Sequence, residues 1–300
     1  MSHANPALAG FAFSDTALDR ADRLRDDPAA LAKRWPDARV LVIDEEGRAL
    51  ADEAGQAFPV TGTMLGGGPG TAIFLGLHHE RAWFALRAEV TALVAPQRVD
   101  LRQAAAQWPA FEAGTFALAR ALFHWQANTR FCGRCGGDVS FRRAGYTGHC
   151  AQCGREHYPR VDPAVIVAVS DGARLLLGRQ ASWAPRRWSV IAGFVEPGES
   201  LEQTVAREVF EEARVRVRGS RYLGAQPWPF PGALMLGFEA DAEPDPPQVD
   251  GELEAARWFS VEEIGAARAA REDDGSDGIL LSPRISIARS LIERWYQMHR

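Results

Sequence analysis

Gly193-Phe-Val-Glu-Pro-Gly-Glu199-Ser-Leu-Glu-Gln-Thr-Val-Ala-Arg207-Glu208-Val-Phe-Glu211-Glu212 is the stretch on which the fold turns. Gly193 and Gly198 admit backbone conformations that other residues resist, and Pro197 stiffens the bend, so a strand ends here in a tight turn. Ser200 with Gln203 three residues later forms a capping box and predicts a helix directly afterwards. Val205, Ala206, Val209, Phe210 and Ala213 share one arc of that helix, and Glu208, Glu211 and Glu212 fall on another. A solvated acidic face is the competing explanation for the charge run, but it does not require the turn that precedes it. Three carboxylates on one face repel one another, and a hard divalent cation with oxygen ligands, Mg2+ or Mn2+, removes that repulsion. Magnesium keeps waters and bridges to phosphate oxygens, so the natural substrate is a phosphate ester or anhydride.

Spaced as Gly-x5-Glu-x7-Arg-Glu-x2-Glu-Glu, the stretch resembles the Nudix box of hydrolases that split nucleoside diphosphates linked to another group. One departure stands out. Arg214 occupies the position where the family pattern has the glycine that helps the chain leave the helix.

Working outward, 300 residues suggest roughly two domains. A formal net charge of -5 argues against a general nucleic-acid coat protein. No apolar run is long enough to span a membrane and no signal-peptide order opens the chain, so a cytoplasmic enzyme is the expectation. Arg39–Ile43 with Arg48–Leu50, and Ala72–Leu77 with Ala82–Ala88, read as two hairpins, the second with His78-His79-Glu80 as a solvated tip. Gly66-Gly-Gly-Pro-Gly70 lacks the Gly-Lys-Ser/Thr ending of a phosphate-binding loop and reads as a connection. A helical pattern covers Ala113–Gln126. Past the box, strands are expected at Val215–Val217, Leu234–Ala240 and Ala255–Ser260. A helix capped by Ser260 and Glu263 follows, then a last helix capped by Ser282 before Pro283 and running to about Met298. This alternation suits an α+β sandwich with a mixed sheet.

All four cysteines lie in two knuckles, Cys132-x2-Cys135 and Cys150-x2-Cys153, separated by fourteen residues. Four thiolates suit tetrahedral zinc and leave no open position for catalysis, so the zinc is structural. Disulfides would require an oxidising compartment. A ribbon of this kind can also bind nucleic acid, and Arg134, Arg142, Arg143 and Arg155 lend it local positive charge.

Ala225-Gln226-Pro227-Trp228-Pro229-Phe230-Pro231-Gly232-Ala233 is a stiff, extended loop. Its aromatics either offer flat faces to a nucleobase or nicotinamide ring, or pack on the core. Downstream of a Nudix box, Gln-Pro-Trp-Pro-Phe-Pro resembles the signature of the NADH pyrophosphatase family, with Ala225 and Ala233 where that family has serines. The zinc knuckles, Tyr158-Pro-Arg160 and Ser286-Ile-Ala288-Arg289 resemble the same family. The resemblance implies an N-terminal domain over 1–128, a zinc ribbon over 129–159 and a Nudix α/β/α sandwich over 160–300, paired as a homodimer. The N-terminal domain would be small and β-rich. It implies cleavage of NADH, and less readily of NAD and related dinucleotides, to AMP and a nicotinamide mononucleotide. Carried over by position, Glu208, Glu211, Glu212, Glu252 and the carbonyl of Ala192 would hold the catalytic metals, with Glu254 close to Glu252 in register. Tyr158 and Phe194 would sandwich the nicotinamide ring. Gln226 to Ala233, Ala288 and Arg102 would meet the rest of the substrate. Glu212 is the expected general base, Glu211 the alternative, with Arg207 fixing carboxylate geometry and Glu199 bracing Arg207. Two other functions are open: removal of an NAD cap from RNA 5' ends, and a catalytically silent nucleotide sensor that binds nucleic acid. A sensor need not retain Glu199, Arg207, Glu208, Glu211 and Glu212 together.

Overall fold

A computed structural model describes residues 8, 10–14, 17–271 and 277–300. The chain divides into two compact units, one of Ala12–Val161 with Trp228–Gly232, the other of Asp162–Pro227 and Ala233–Arg300. No helix among the described residues is long and apolar enough to cross a membrane.

The first unit opens with α1 (Pro28–Arg34), β1 (Arg39–Ile43), β2 (Ala49–Ala51) and the single-turn α2 (Gly62–Leu65). Next come β3 (Ile73–His78), β4 (Arg81–Arg87), β5 (Gln97–Val99), α3 (Leu101–Gln107) and α4 (Ala110–Asn128). Both expected hairpin regions form strands, and His79 and Glu80 turn the tip with positive φ. The sheet runs β3-β4-β1-β2-β5. Strand β1 alternates: Leu41 and Ile43 enter a core with Phe116 and Leu122 of α4, while Val40 and Val42 enter another with Leu31 and Trp35. The N-terminal domain is β-rich as expected, and the helical pattern read over Ala113–Gln126 is the 19-residue α4, Ala110–Asn128. Strands β6 (Val139–Arg142), β7 (Thr147–Cys150) and β8 (Glu156–His157) form the three-stranded ribbon sheet, inside this same unit.

The second unit begins with β9 (Asp162–Ser170), β10 (Leu175–Arg179), β11 (Arg187–Trp188) and β12 (Ile191–Phe194), then α5 (Leu201–Ala213). It continues through β13 (Val217–Trp228), β14 (Ala233–Ala242), β15 (Ala255–Phe259), α6 (Val261–Ala267), β16 (Leu280–Leu281) and α7 (Ile287–His299). Its sheet runs β13-β14-β9-β10-β15, with β12 beside β9. Val165, Val167 and Val169 of β9 face Val205 and Val209 of α5, and Ile166 and Ala168 face Ile287 and Leu291 of α7. One strand alternating between two apolar surfaces makes the α/β/α sandwich, and β14 parallel to β9 makes the sheet mixed.

The two sheets share a strand order. β1 pairs parallel with β4 as β9 does with β14, β2 antiparallel with β1 as β10 does with β9, and β5 antiparallel with β2 as β15 does with β10. Two helices follow the last strand in each.

Two local expectations are corrected. The last helix is capped by Ser286, whose Oγ accepts from the Ala288 amide, rather than by Ser282. Ser282 is buried and donates instead to Ser189 Oγ at 2.9 Å. On α5, Ala206 is exposed and Phe210 is 44% exposed, so neither belongs to the buried arc. Glu208 and Glu212, four residues apart, share the inward side instead.

Candidate active site and zinc centre

Helix α5 is fixed at both ends. Ser200 and Gln203 form the reciprocal capping box at its start. At its end Arg214 takes a left-handed conformation, φ 56° and ψ 24°, with its amide donating to the Phe210 carbonyl. That is the backbone shape a glycine adopts without steric cost, which explains what the family glycine does and why its absence is tolerated. The Arg214 guanidinium lies 5.3 Å from the Phe210 ring centroid and pairs with Asp250 at 3.1 Å, which helps offset the strain.

Arg207 is the hub. Its Nε and Nη2 donate to Glu199 at 2.6 and 3.0 Å, Nη1 to Glu208 and Glu211 at 2.9 Å each, and Nη2 also to the Phe194 carbonyl at 2.9 Å. One planar cation thus ties the turn, the strand β12 and two carboxylates of α5 together. Arg207 holds the Glu199 carboxyl down to about 2. Glu199 also accepts from Thr204 Oγ1, which orients it from the helix side.

The carboxylates divide by environment. Glu208 is buried against Gly193 of β12: a Cβ there would sit 1.9 Å from the Glu208 carboxyl carbon. The glycine is demanded by the close approach of a side chain and not by its φ. Burial raises the Glu208 pKa despite Arg207. Glu212 is 4% exposed, and burial, then the charges of Glu252, Glu208 and Asp250, push it up to about 8. Among the described residues no arginine or lysine pairs with Glu212 or Glu252. Glu211 is half exposed and held by Arg207. Glu254 is engaged by Arg179, whereas the charge of Glu252 acts on both Glu208 and Glu212, which separates these two near neighbours. Ala192 lies on β12 opposite Ile166. Glu212, buried without a cation, together with Glu208 and Glu252 whose charges act on it, offers the oxygen donors a hard divalent cation takes, so the residues fit such an ion. Their oxygens do not converge as the cysteine thiols do. Among the described residues, the four cysteines are the group whose ligand atoms all lie within 4.8 Å of one another.

In the ribbon, Cys132 and Cys153 Sγ atoms are 3.7 Å apart, and Cys135 and Cys150 3.5 Å. A tetrahedral zinc with Zn–S of about 2.3 Å spaces its sulfurs by about 3.8 Å. Gly136 and Gly154, both with positive φ, turn the knuckles so that their amides donate to the Cys132 and Cys150 carbonyls. The Arg134 amide is the main influence pulling the Cys132 thiol down to about 6, which favours the thiolate a metal needs.

The expected substrate residues are distributed unevenly. Phe194 is 60% exposed and Tyr158 58% exposed, the Tyr158 hydroxyl bonding Glu156. Gln226 is fully buried, its amide oxygen accepting from the Ile287 amide and its nitrogen donating to the Ile285 carbonyl, so its side chain anchors the approach to α7 and has no surface to offer a ligand. Ala288 is buried on that helix. Pro227 and Pro231 are exposed, Pro229 is buried, and Gly232 and Ala233 are half-buried. Trp228 and Phe230 pack against each other at 4.9 Å and against the core of the first unit, including Phe13. Arg102 lies over both rings, 5.3 and 4.2 Å from their centroids, and Arg120 lies over Phe230 and donates to the Pro229 carbonyl. Of the two alternatives for these aromatics, the geometry is the packed one. No sequence signal distinguishes a stacking platform from an anchored loop when the loop's partners lie about 110 residues away.

A two-layered sheet carrying a glycine turn and an acidic helix defines the Nudix class, and residues 160–278 match the NUDIX domain family. Residues 127–158 match the NADH pyrophosphatase zinc ribbon domain and 35–125 the NADH pyrophosphatase-like rudimentary NUDIX domain. The chain is 41% identical over 292 residues to "NAD-capped RNA hydrolase NudC" of Mycobacterium bovis, covering 94% of this chain and 93% of that one. It is 34% identical over 242 residues, covering 73% and 69%, to "NAD(P)H pyrophosphatase NUDT13, mitochondrial" of Mus musculus. Among solved structures, a NUDIX hydrolase from Nitrosomonas europaea is 26% identical, covers 51% of this chain and 97% of its own, and has a TM-score of 0.40. The chain belongs to the NADH pyrophosphatase family of Nudix hydrolases.

Proposed function

We propose that the protein hydrolyses the pyrophosphate bond of NADH, and of NAD and related dinucleotides, giving AMP and the nicotinamide mononucleotide. The observation that carries this reading is Glu212, buried with no cation beside it among the described residues and pressed by the charges of Glu252 and Glu208, next to an Arg207 already engaged by Glu199, Glu208 and Glu211. Glu208, Glu211, Glu212, Glu252 and the Ala192 carbonyl would hold a divalent cation, Mg2+ or Mn2+, which when bound would neutralise the pyrophosphate charge and acidify water. The chain's own part is positional. Arg207 holds Glu208 and Glu211 in register and ties the β12 carbonyl of Phe194 to them. Glu212, whose burial makes its carboxyl hold a proton more tightly than a solvated glutamate, accepts the proton of the attacking water. Phe194 offers an exposed flat face for a nicotinamide ring. The homodimer and the pairing of Tyr158 with Phe194 on that ring belong to the same proposal.

The name of the Mycobacterium bovis relative favours a second substrate with the same chemistry, RNA carrying a 5' NAD cap. Incubating the full chain with NADH and Mg2+ or Mn2+ and separating the products tests the first reading. Equimolar AMP and reduced nicotinamide mononucleotide are expected, and intact NADH would overturn it. The same assay with NAD-capped RNA ranks the two substrates. Nucleic-acid binding without turnover of either would point to the silent sensor.

A further inference from the structure

Within the first unit lies a cavity of about 840 Å³ that the glutamate site does not use. It falls in the size range of small-molecule pockets, about 300–1,000 Å³. Its lining is largely apolar, with Phe141 of β6 half-buried at its surface and Phe84 of β4 and Phe123 of α4 buried behind it. Three arginines line it, Arg25, Arg87 and Arg130, and no aspartate or glutamate does.

The arginines are held in different states. Arg25 stacks on Tyr146 at 3.5 Å and pairs with Asp22, yet its buried Nε–H has no acceptor among the described residues. Arg87 lies 4.6 Å from the Phe123 ring centroid and gives one N–H to the Phe123 carbonyl. Neither Arg87 nor Arg130 has a carboxylate partner among the described residues. A buried donor without an acceptor is costly unless something supplies the acceptor. Two further cations facing an apolar space without counter-charge attract an anion, and guanidinium groups match phosphate oxygens in geometry. Phe141 is the ring at the cavity with surface left to stack a flat body, which separates this site from one built for an aliphatic chain.

We propose that this cavity is an accessory binding site for a phosphate monoester with a flat aromatic body, a nucleoside monophosphate, whose phosphate meets Arg87 and Arg130 while its base lies against Phe141. The site is independent of the hydrolytic reaction: it lies in the unit that holds none of the Nudix glutamates, so binding there is measurable whatever the second unit hydrolyses.

The probe is AMP, titrated against the full chain by calorimetry with no added divalent cation, beside adenosine and inorganic phosphate as its separate halves. AMP is expected to bind with one site per chain in the cavity, and each half at least tenfold more weakly. Arg87→Ala combined with Arg130→Ala should loosen AMP at least tenfold. Ala127→Trp, which fills the space from α4 without touching charge, should do the same. Both variants should keep turnover of the wild-type substrate within about twofold. Unchanged AMP affinity in the folded Ala127→Trp chain overturns the proposal, as does loss of the AMP signal in Glu212→Gln with retention in both cavity variants. Equal binding of adenosine and AMP would remove the role of the arginines.

Discussion

The two sheets of this chain have the same strand order and diverge in one place, the segment between β2 and β3 against that between β10 and β13. In the second unit it carries β12 and the 13-residue α5 with the acidic residues. In the first it shrinks to the four-residue α2 and a glycine-rich connection. The consequence shows in how each unit treats buried charge. Asp44, buried at the end of the β1 region, is paired with Arg48 at 2.9 Å and Arg98 at 3.2 Å. Glu212 is buried with three acidic neighbours and no such cation. Asp44 is compensated by two arginines, whereas Glu212 has no cation beside it among the described residues, an arrangement that a bound metal ion would complete. The same architecture thus treats a buried carboxylate in two ways.

The sharpest way to break that comparison is Glu212→Gln. A general base contributes roughly 10²–10⁴-fold, so turnover of NADH should fall by about that factor. Removing a destabilising charge should at the same time leave the melting temperature of the metal-free protein unchanged or raised. Zinc content, measured by metal analysis, should not change, because the four thiols lie in the other unit. A variant that stays active would shift the base to Glu211.

The glycines sharpen it further. A Cβ on Gly193 meets the Glu208 carboxyl, while one on Gly62 meets the Trp35 carbonyl oxygen at 1.8 Å. A flexible carboxylate can swing aside, but a backbone carbonyl cannot. Gly193→Ala should therefore cost on the order of 10²-fold in kcat with little change in melting temperature, since a displaced ligand of about 1 Å is enough. Gly62→Ala should leave kcat alone and cost about 1–3 kcal/mol in denaturant unfolding through overpacking. If the two variants exchange phenotypes, the assignment of one unit to chemistry and one to packing is wrong.

These contrasts also mark what was legible in the chain. The zinc knuckles and the box were readable because their ligands are close in sequence, with spacing imposed by knuckle and helix geometry. The capping boxes at Ser200 and Ser260 were readable for the same reason. The repeated sheet was not, because strand order is set by pairings such as β1 with β4, more than 40 residues apart, and the helix that would advertise the repeat has been lost from the first copy. That Glu208 and Glu212 share an arc apart from the valines was readable, but their burial was not. The room for Glu208 comes from Gly193 on a strand outside the helix, whose missing Cβ lets the carboxyl in. Trp228 and Phe230 could not be resolved either way, since their partners Phe13, Arg102 and Arg120 lie far along the chain.

A smaller effect is expected with pH. Glu212 is raised from the model-peptide value of 4.5 to about 8, so the folded state binds its proton more tightly than the unfolded chain. The stabilisation this gives is full below about 4.5 and is lost as pH rises through about 8. Without divalent cation, unfolding free energy should fall over that window by on the order of a few kcal/mol at most, and melting temperature with it. Glu212→Gln should flatten the profile and Mg2+ should restore stability at the alkaline end. A fall of equal size in the Gln variant would place its origin elsewhere, and the contrast with the compensated Asp44 would lose its support.

The smallest effect concerns Arg214. A non-glycine residue in the left-handed region costs about 1–2 kcal/mol, which Arg214→Gly removes. Against this stand the exposed Asp250 pair, worth roughly 0–1 kcal/mol, and the added freedom of a glycine in the unfolded chain, roughly 0.4–1 kcal/mol. The Gly variant should therefore lie between about 1 kcal/mol less stable and about 1.6 kcal/mol more stable. Arg214→Ala keeps the strained backbone and loses the pair and the contact with Phe210, so it should be less stable than both. The order Ala below Gly in urea midpoints is the decisive reading, because deletion of the arginine is common to the two and only the backbone cost differs. An Ala variant as stable as the Gly variant would mean that the helix exit relaxes freely, and that the exit of α5 is not where this chain stores strain.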